Sequence, residues 1–391
     1  MSKLTESLNT SGAKALKGLE RIKWKHYVNY AVITVFAIVF AILSLSGGMK
    51  MSTQFLLEKI AISIILAVSL SIVVGFLGEL SLGHAGFMCV GAYLGGKVAS
   101  LLDAGAENHF VLILAILVGG VVAAICGFVV GLPALRLKGD YLAIVTLAFG
   151  EIVRSVFQNT SPETFGGTLG LPTPRYDKSY LFIYGFLFVL ICLAVTQNLM
   201  QSKHGRAITS IRDNEIAAKA TGINVTKYKL IAFVVSAFFA GVAGVLYSHA
   251  NTTVQATPAQ FGYNYSIEIL VMVVLGGMGN VTGSIIAATL ITYLNLELAT
   301  ILTGDLAVLK NLIYALVLIL IIIYNNAPKL KGFRDKYNLK VLMAKIFKKH
   351  SDADSARWDV VPTKIEMNEV LSTDFIVNES TKTSGDKGGK D

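Results

Sequence analysis

MQSKHGRAITSIRDNEIAAKATGINVTKYK, residues 200–229, is the only long polar interval between the apolar runs of this chain. It carries six Lys or Arg residues against two acids. One apolar run ends near Leu199, and the next begins at Leu230. Cations concentrated in a loop between apolar runs are typical of the cytoplasmic side of a membrane protein. We therefore expect this central loop to lie in the cytoplasm.

The central loop also contains signals for a short helix. Asp213 can cap the N-terminus of a helix over residues 214–221, because an Asp side chain accepts hydrogen bonds from the first free amides of a helix. Gly222 can end that helix in the left-handed conformation that glycine adopts at little cost. A short helix with defined ends is suited to binding a partner, but the loop can also be a solvated connector whose charges only fix the topology.

Length and composition define the class of protein. The 391 residues are 54% hydrophobic and only 15% charged. Several apolar runs approach ~20 residues, the length that crosses a bilayer as a helix. These runs are apolar on every side rather than alternating, which disfavours a β-barrel. The chain is therefore predicted to be an all-α, polytopic transmembrane helical bundle, whose net charge of +9 meets anionic lipid headgroups rather than nucleic acid.

Ten spans are predicted, with both termini in the cytoplasm. Fourteen Lys or Arg residues then lie on the inner side, against seven in or near the outer connections. We expect a cytoplasmic leader at 1–27, a transmembrane permease domain at 28–328 and a cytoplasmic tail of basic, then disordered, composition at 329–391. The predicted spans lie near residues 28–46, 60–78, 82–102, 110–133, 141–157, 180–199, 230–250, 266–279, 284–299 and 311–324.

Two glycine-rich segments interrupt the spans. Residues 75–86, GFLGELSLGHAG, join the second and third spans, and residues 276–284, GGMGNVTGS, join the eighth and ninth. Non-helical backbone at membrane depth is tolerated where protein or a water-filled cavity satisfies its polar groups, so such breaks are typical of a transport pathway. Glycine also lets helices pack closely, as the spacing of Gly91 and Gly95 suggests elsewhere. Both interpretations stay open.

Charged side chains within the spans are few, and each needs a reason, because a charge at the bilayer centre costs ~3 kcal/mol or more. Glu151 and Arg154 are three residues apart on one helix face and can pair. Asp140 starts a span, where a carboxylate offsets the positive end of the helix. Glu79 and His84 lie in the first break and are the better functional candidates, although His84 can equally be satisfied by a neighbouring carbonyl.

Reactive clusters are not visible in the sequence. The segment from Gly91 to Lys97 has the spacing of a phosphate-binding loop, but Val98 stands where a Ser or Thr would hold magnesium, and no strand precedes it. We find no Ser/His/Asp, Cys/His or paired-carboxylate arrangement for hydrolysis. The chain is therefore predicted not to be an enzyme, with no catalytic residue, no metal site and no cofactor of its own.

Four separated motifs suggest a family. They are GELSLGHAGFMCVGAY at 78–93, RLKGDYLAIVTLAFGE at 136–151, GRA at 205–207 with AAKATG at 217–222, and LGGMGNVTGS at 275–284. In this order they resemble the membrane-spanning permease of bacterial branched-chain amino acid ABC importers, specifically the M type (LivM-like) of the two paired permeases. The resemblance covers about residues 28–324. It implies a multi-pass protein of the bacterial cell (inner) membrane.

The resemblance also implies roles for particular residues and partners. The partners are a second permease subunit (LivH-like), two ABC ATPase subunits that bind the ATP, an extracytoplasmic substrate-binding protein and the lipid bilayer. The central loop contains a loose form of the ATPase-docking motif, interrupted by Ile216. The implied docking residues are Arg206, Arg212, Asp213, Glu215, Ala217, Ala218 and Gly222. The implied translocation pathway passes Glu79, Ser81, Gly83, His84, Gly86, Gly276, Gly277, Gly279 and Asn280.

The expected function is the import of Leu/Ile/Val-type amino acids by alternating access, driven by ATP hydrolysis on the partner subunits. Free amides or helix ends at the breaks can hold the substrate carboxylate. A permease for urea or short-chain amides is an alternative within the same family. An ion-coupled secondary transporter is a further alternative, although it would need paired intramembrane carboxylates or an ion site and would have no use for a docking helix.

Overall fold

The computed structural model describes residues 24–46, 48, 50–102, 108–137, 139–174, 176, 178–250, 255–301, 316 and 319. Helices dominate this part of the chain, as its continuous apolar runs predict. The leader before residue 24, the tail from residue 329 and most of the tenth span at 311–324 lie outside the described residues. The division into leader, transmembrane domain and tail therefore stays a prediction.

Twelve α-helices, numbered α1 to α12, run through the described residues. Nine of them, α1 to α5, α7 and α10 to α12, coincide with the first nine predicted spans. A π-helical turn, Ile72–Leu77, directly continues α2. The helices are α1 Trp24–Leu45, α2 Met51–Ser71, α3 His84–Leu102, α4 His109–Ala134, α5 Asp140–Gln158, α6 Pro162–Phe165, α7 Lys178–Gln201, α8 Lys203–Asp213, α9 Glu215–Ala220, α10 Val225–Ala250, α11 Tyr263–Gly276 and α12 Val281–Ile301.

Not all of these helices are long enough to span a membrane alone. Among the described residues, six segments are long and apolar enough: α2 with its π-helical turn, α3, α4, and parts or all of α7, α10 and α12. α11 has only 14 residues. At 1.5 Å per residue its length of about 21 Å is less than the ~30 Å of the hydrocarbon core, so it is a half-helix. The count of ten spans stays a prediction.

α2 forms the centre of the bundle. Ile65, Leu66 and Leu70 are fully buried in it, and α7, α10, α11 and α12 pack against it. α10 packs in turn on α3 and α4. The outer face of α4 carries exposed apolar side chains, including Phe110 and Val129. An apolar outer face around an apolar interior is the pattern that a helix bundle needs in lipid.

A small cap covers the end of the bundle that is remote from the central loop. β1, Leu171–Pro172, pairs antiparallel with β2, Gln255–Ala256. Tyr93 near this end stacks on Phe157, with 4.2 Å between the ring centroids. β2 follows α10 in the sequence, and α10 begins at the central loop and ends at Ala250. The two ends of the bundle are therefore built differently, because the cap contains β-paired segments and the central loop folds into α8 and α9.

Glycine permits a very close contact between α3 and α10. A Cβ added at Gly91 of α3 would lie 2.3 Å from the carbonyl oxygen of Gly241 in α10. A Cβ added at Gly95 would lie 2.4 Å from Cγ2 of Val245, also in α10. These distances are far below van der Waals contact, so only glycine at the two positions lets α3 and α10 approach this closely. Close packing is confirmed as the role of the Gly91 and Gly95 pair.

Substituting Gly91→Ala should therefore destabilise the bundle by about 1–3 kcal/mol, because α3 and α10 must separate to admit one methyl group. Gly150→Ala is a matched control inside another helix, α5, since an added Cβ there meets its nearest neighbour, the backbone of Gly86, at 3.7 Å, an ordinary van der Waals distance. We expect a lower thermal unfolding midpoint in detergent for the Gly91 variant and an unchanged midpoint for the control. Equal midpoints for the two variants would contradict the packing assignment.

Candidate functional site

The central loop folds into two short helices with defined ends. Ser202 precedes α8, and its Oγ accepts hydrogen bonds from the amides of His204 at 3.1 Å and Gly205 at 3.4 Å. Asn214 separates α8 from α9, and its Oδ1 accepts from the amide of Ala217 at 3.0 Å. Both side chains satisfy amides that have no partner inside their helix. The loop is therefore a folded structure rather than a simple connector.

Of the two predicted ends of α9, the structure contradicts the first and confirms the second. The prediction that Asp213 caps α9 is wrong, because Asp213 is the last residue of α8 and its carboxylate accepts from Nη2 of Arg212 at 3.1 Å. The prediction for Gly222 is confirmed, since its φ is +85°. The amides of Gly222 and Ile223 donate back to the last turn of α9 at 3.0 and 3.1 Å. This pair of bonds is the Schellman motif that ends many helices.

Arg212 joins α8 to the first glycine break. Its Nη1 donates a hydrogen bond of 3.2 Å to the carbonyl oxygen of Gly75, inside the π-helical turn. Gly78 follows with a φ of +80°, and a Cβ there would lie 2.6 Å from Cγ of Arg212. Single π-helical turns occur frequently at functional sites, where they interrupt the regular hydrogen-bond ladder. The glycines thus make room for the arginine side chain.

The two glycine breaks meet at the same point. A Cβ added at Gly75 would lie 2.5 Å from the backbone nitrogen of Gly279 in the second break. A Cβ built at Gly279 would in turn lie 3.4 Å from Nη1 of Arg212. The central loop and both breaks therefore share one contact region. We call this region, formed by residues 75–79, 212–215, 229 and 279, the junction.

A chain of four charged side chains crosses the junction. Nζ of Lys219 lies 2.9 Å from Oε1 of Glu215, and Nζ of Lys229 lies 3.2 Å from Oε2 of the same carboxylate. Lys229 also donates a hydrogen bond to Oε1 of Glu79 in the first break. Two ammonium groups thus alternate with two carboxylates, and their charges cancel. The Lys229 side chain is only 3% exposed, and that of Glu79 is 15% exposed.

Three amides of the first break donate hydrogen bonds within the chain. The amide of Glu79 donates to the π-helical turn at 3.2 Å. The amide of Leu82 donates to a hydroxyl of α5 at 3.1 Å, and the amide of Ala85 donates to a hydroxyl of α11 at 3.0 Å. The expectation that free amides at this break hold a substrate carboxylate is therefore not met by these three groups in this structure.

Two predicted pathway residues of the first break are buried. Nε2 of His84 lies 2.9 Å from Oγ of Ser69 in α2, and the His84 side chain is 2% exposed. A hydroxyl therefore satisfies the ring, where the sequence suggested a carbonyl. Ser81 is also 2% exposed. Both residues belong to the packed interior of the bundle.

The remaining pathway residues are placed by backbone contacts. Gly83 and Gly86 pack against the backbone of α5, and Gly276 packs against the start of α12. Gly277 has a φ of +90°, and its carbonyl oxygen accepts from the amide of Asn280 at 3.0 Å. Only Glu79 and Gly279 of the predicted pathway reach the junction. The pathway assignment stays a prediction.

Glu151 forms two contacts, of which the sequence predicted one. Its pairing with Arg154 is confirmed, with 2.8 Å between Oε2 and Nε. Its Oε1 also accepts from the amide of Tyr263 at 2.9 Å. This amide opens the half-helix α11, where a carboxylate also offsets the positive end of the helix dipole. Asp140 is the first residue of α5, as predicted.

Sequence reasoning missed the role of Lys229, which counted only as one of the cations of the central loop. A signal existed, because a carboxylate such as Glu79 at a break needs a partner. The partner could not be identified from the sequence, since 150 residues separate the two. Among the predicted docking residues, Arg212, Asp213 and Glu215 lie at the junction.

The outward face of α9 points away from the junction. Ile216 is 79% exposed there, and Ala217 and Gly222 are also exposed. Ala218 is 4% exposed and packs inward instead. Arg206, on α8, is exposed as well. A large apolar side chain displayed on the surface of a short helix is suited to a groove in a partner protein.

Glu215 gives the central loop a dependence on pH. Its hydrogen bond with Lys219 lowers the pKa of the carboxyl; Lys229 acts in the same direction, and partial burial opposes both. Because the pKa is lower in the folded protein, the stabilisation of α9 by this group is fully present above the ordinary carboxyl pKa of about 4.3 and is lost as pH falls through the folded-state value.

Hydrogen exchange at residues 214–222, corrected for intrinsic rates, should therefore show constant protection from neutral pH to about pH 5 and lower protection below about pH 4. The Glu215→Gln variant should be less protected at neutral pH and should lose less on acidification, because it has no carboxylate to protonate. The same acid response in both proteins would contradict the assignment to Glu215.

Comparison with known proteins places the chain in a family. Residues 52–322 match the family described as branched-chain amino acid transport system / permease component. The chain is 34% identical to the high-affinity branched-chain amino acid transport system permease protein LivM of Salmonella typhimurium over 290 residues, 66% of this chain and 65% of that protein. It is 37% identical to LivM of Escherichia coli over 264 residues, 59% of this chain and 60% of that protein.

The similarity extends to a second group of permeases. The chain is 26% identical to the ribose import permease protein RbsC of Escherichia coli over 292 residues, 69% of this chain and 84% of that protein. It spans less than two thirds of the length of the LivM proteins. No solved structure matches it.

The family match covers well over half of the chain and confirms the resemblance suggested by the four motifs. The relatives are membrane components rather than enzymes, and six described helices of this chain are long and apolar enough to cross a membrane. The chain is therefore a multi-pass membrane protein that belongs to the family of permease components of branched-chain amino acid transport systems.

Proposed function

We propose that this chain is the M-type permease subunit of an ABC importer for Leu/Ile/Val-type amino acids in a bacterial cell membrane. Its proposed partners are a second, LivH-like permease, two ABC ATPases that bind the ATP, and an extracytoplasmic substrate-binding protein. The junction is the observation that supports this proposal most, because a loop that only connected two spans would not need to reach both glycine breaks and to form a buried ion pair with one of them.

The proposed mechanism is alternating access driven from the central loop. The exposed face of α9, with Ile216 at its centre, docks on an ATPase. A ligand shifts a conformational equilibrium only by its difference in affinity for the two states. The ATPase with bound ATP is proposed to favour one position of α8 and α9. Arg212 and Lys229 then carry this preference to the breaks, which open the pathway to one side at a time.

The substrate path is proposed to run along the two breaks, with the second permease completing its wall. Polar side chains along this part of the chain have partners, since the charge of Glu79 is compensated by Lys229 and the His84 ring forms a hydrogen bond with the Ser69 hydroxyl. Compensated charges suit the passage of an apolar side chain, and they leave most of the selection to the binding protein. The path is expected to pass Glu79, Ser81, Gly83, His84, Gly86, Gly276, Gly277, Gly279 and Asn280.

The orientation with both termini in the cytoplasm is part of the proposal. It puts the central loop on the side where ATP is available. It also places fourteen Lys or Arg residues inside against seven outside, in agreement with the positive-inside rule.

Transport assays distinguish the proposed function from its alternatives. Because the chain is also similar to ribose import permeases, ribose is included among the substrates that are tested. The chain is purified from its native membrane together with its bound proteins and reconstituted into vesicles. Uptake of labelled leucine, isoleucine, valine, urea and ribose is then measured with and without ATP. ATPase subunits in the preparation and ATP-dependent uptake of leucine support the proposal. Uptake that follows an ion gradient without an ATPase overturns it.

Replacing Ile216→Asp should weaken docking, because a carboxylate cannot be desolvated in an apolar groove at the centre of an interface. We expect the amount of ATPase that co-purifies to fall about tenfold, as for the loss of one apolar hot spot. Leu137→Asp is the matched control, since Leu137 is an exposed apolar residue of the turn after α4. An undiminished ATPase content in the Ile216 variant would show that α9 does not dock through this face.

A further inference from the structure

Lys229 is a buried cation held by two different parts of the chain. It lies in the first turns of α10, and its side chain is 3% exposed. One carboxylate partner, Glu79, belongs to the first break, and the other, Glu215, begins α9. Three separate elements, the break, α9 and α10, thus converge on a single ammonium group.

Burial makes these contacts difficult to give up. An ammonium group removed from water loses favourable hydration, and only close carboxylates with good geometry compensate for that loss. Breaking either contact would leave an ammonium group on a side chain that is only 3% exposed with one partner fewer. The three elements are therefore held together more firmly than by exposed ion pairs, which contribute little.

The second link across the junction is weaker by the same criterion. Arg212 contacts the carbonyl oxygen of Gly75, but its side chain is 39% exposed and its ion-pair partner Asp213 is 69% exposed. Water can replace such contacts at low cost. A displacement of α9 would therefore pass to the first break through Lys229 more effectively than through Arg212.

We propose that Lys229 is the positioning residue that transmits movement of the docking helix α9 to the first glycine break, through its simultaneous bonds to Glu215 and Glu79. This proposal rests on the proposed function, because it assumes an ATPase that moves α9. Lys229 itself contacts neither ATP nor substrate. Its role is to make the position of residues 75–86 depend on the position of α9.

The decisive variant is Lys229→Met, which keeps the length of the side chain and removes its charge. In vesicles that contain the complete importer, we expect the amount of leucine taken up per ATP hydrolysed to fall about tenfold, within the usual range of allosteric coupling. The ATPase should still co-purify, because the exposed face of α9 is unchanged. Lys229→Arg should restore much of the coupling, because the guanidinium can bond both carboxylates.

Two controls separate transmission from general damage. Lys227→Met removes an exposed lysine two residues away on the same helix, and it should leave uptake per ATP unchanged. Glu79→Gln removes the charge at the other end of the pair. The double variant Glu79→Gln with Lys229→Met should take up as much leucine per ATP hydrolysed as Lys229→Met alone, because the effects of residues that act as one unit do not add. If Lys229→Met does not accumulate in the membrane, Glu79→Gln alone decides, with the same expected loss of coupling.

The outcomes are distinguishable from failure of the proposed function. If the wild-type importer itself shows no ATP-dependent uptake, the proposed function is wrong. If the wild-type importer works and Lys229→Met, or Glu79→Gln in its place, keeps the wild-type ratio of uptake to hydrolysis, the role of Lys229 is overturned. Loss of ATPase binding in Lys229→Met would also overturn it, because the residue would then shape the docking face instead of transmitting its movement.

Discussion

The structure depends on placing one ammonium group, that of Lys229, between two carboxylates in an apolar bundle. The group is almost completely buried, so its hydration must be replaced by close partners. Glu215 can supply one carboxylate because Asn214 and Gly222 fix the two ends of α9. Glu79 can supply the other because α2 ends in the π-helical turn and Gly78 just before it. Helix ends, glycines and charges at this site therefore require one another.

Close packing through glycine sets the frame around this site. Gly91 brings α3 against α10, and Gly75 brings the first break against Gly279 of the second. Without Cβ atoms at these positions, the backbones approach until carbonyl and amide groups almost touch. A bundle packed this tightly moves as whole segments rather than by local deformation. Movement of the central loop is thus expected to shift the breaks as units, which is what alternating access requires.

Much of the fold follows from local features of the sequence, and most of the site does not. Apolar runs predict nine helices because burial in lipid acts on each segment independently, and Gly222 predicts the end of α9 because only glycine adopts its φ cheaply. Asp and Asn are both good helix caps, so the sequence alone does not decide between Asp213 and Asn214. Asn214 is the cap because its backbone is extended, as an N-cap requires. The pairing of Lys229 with Glu79 crosses 150 residues, so it depends on the tertiary packing of α2 against α10, which no local pattern encodes.

The central claim, that the central loop and the first break move as one unit, is tested most directly by a distance measurement between spin labels. Cysteines introduced at the exposed residues Leu80 and Lys203 carry the labels, after replacement of the native Cys89, Cys126 and Cys192. In the complete importer, the account predicts one narrow distance distribution with the same mean in the nucleotide-free and ATP-bound states. A change of more than about 2 Å between the two states, the size of a common helix shift at an interface, would contradict it.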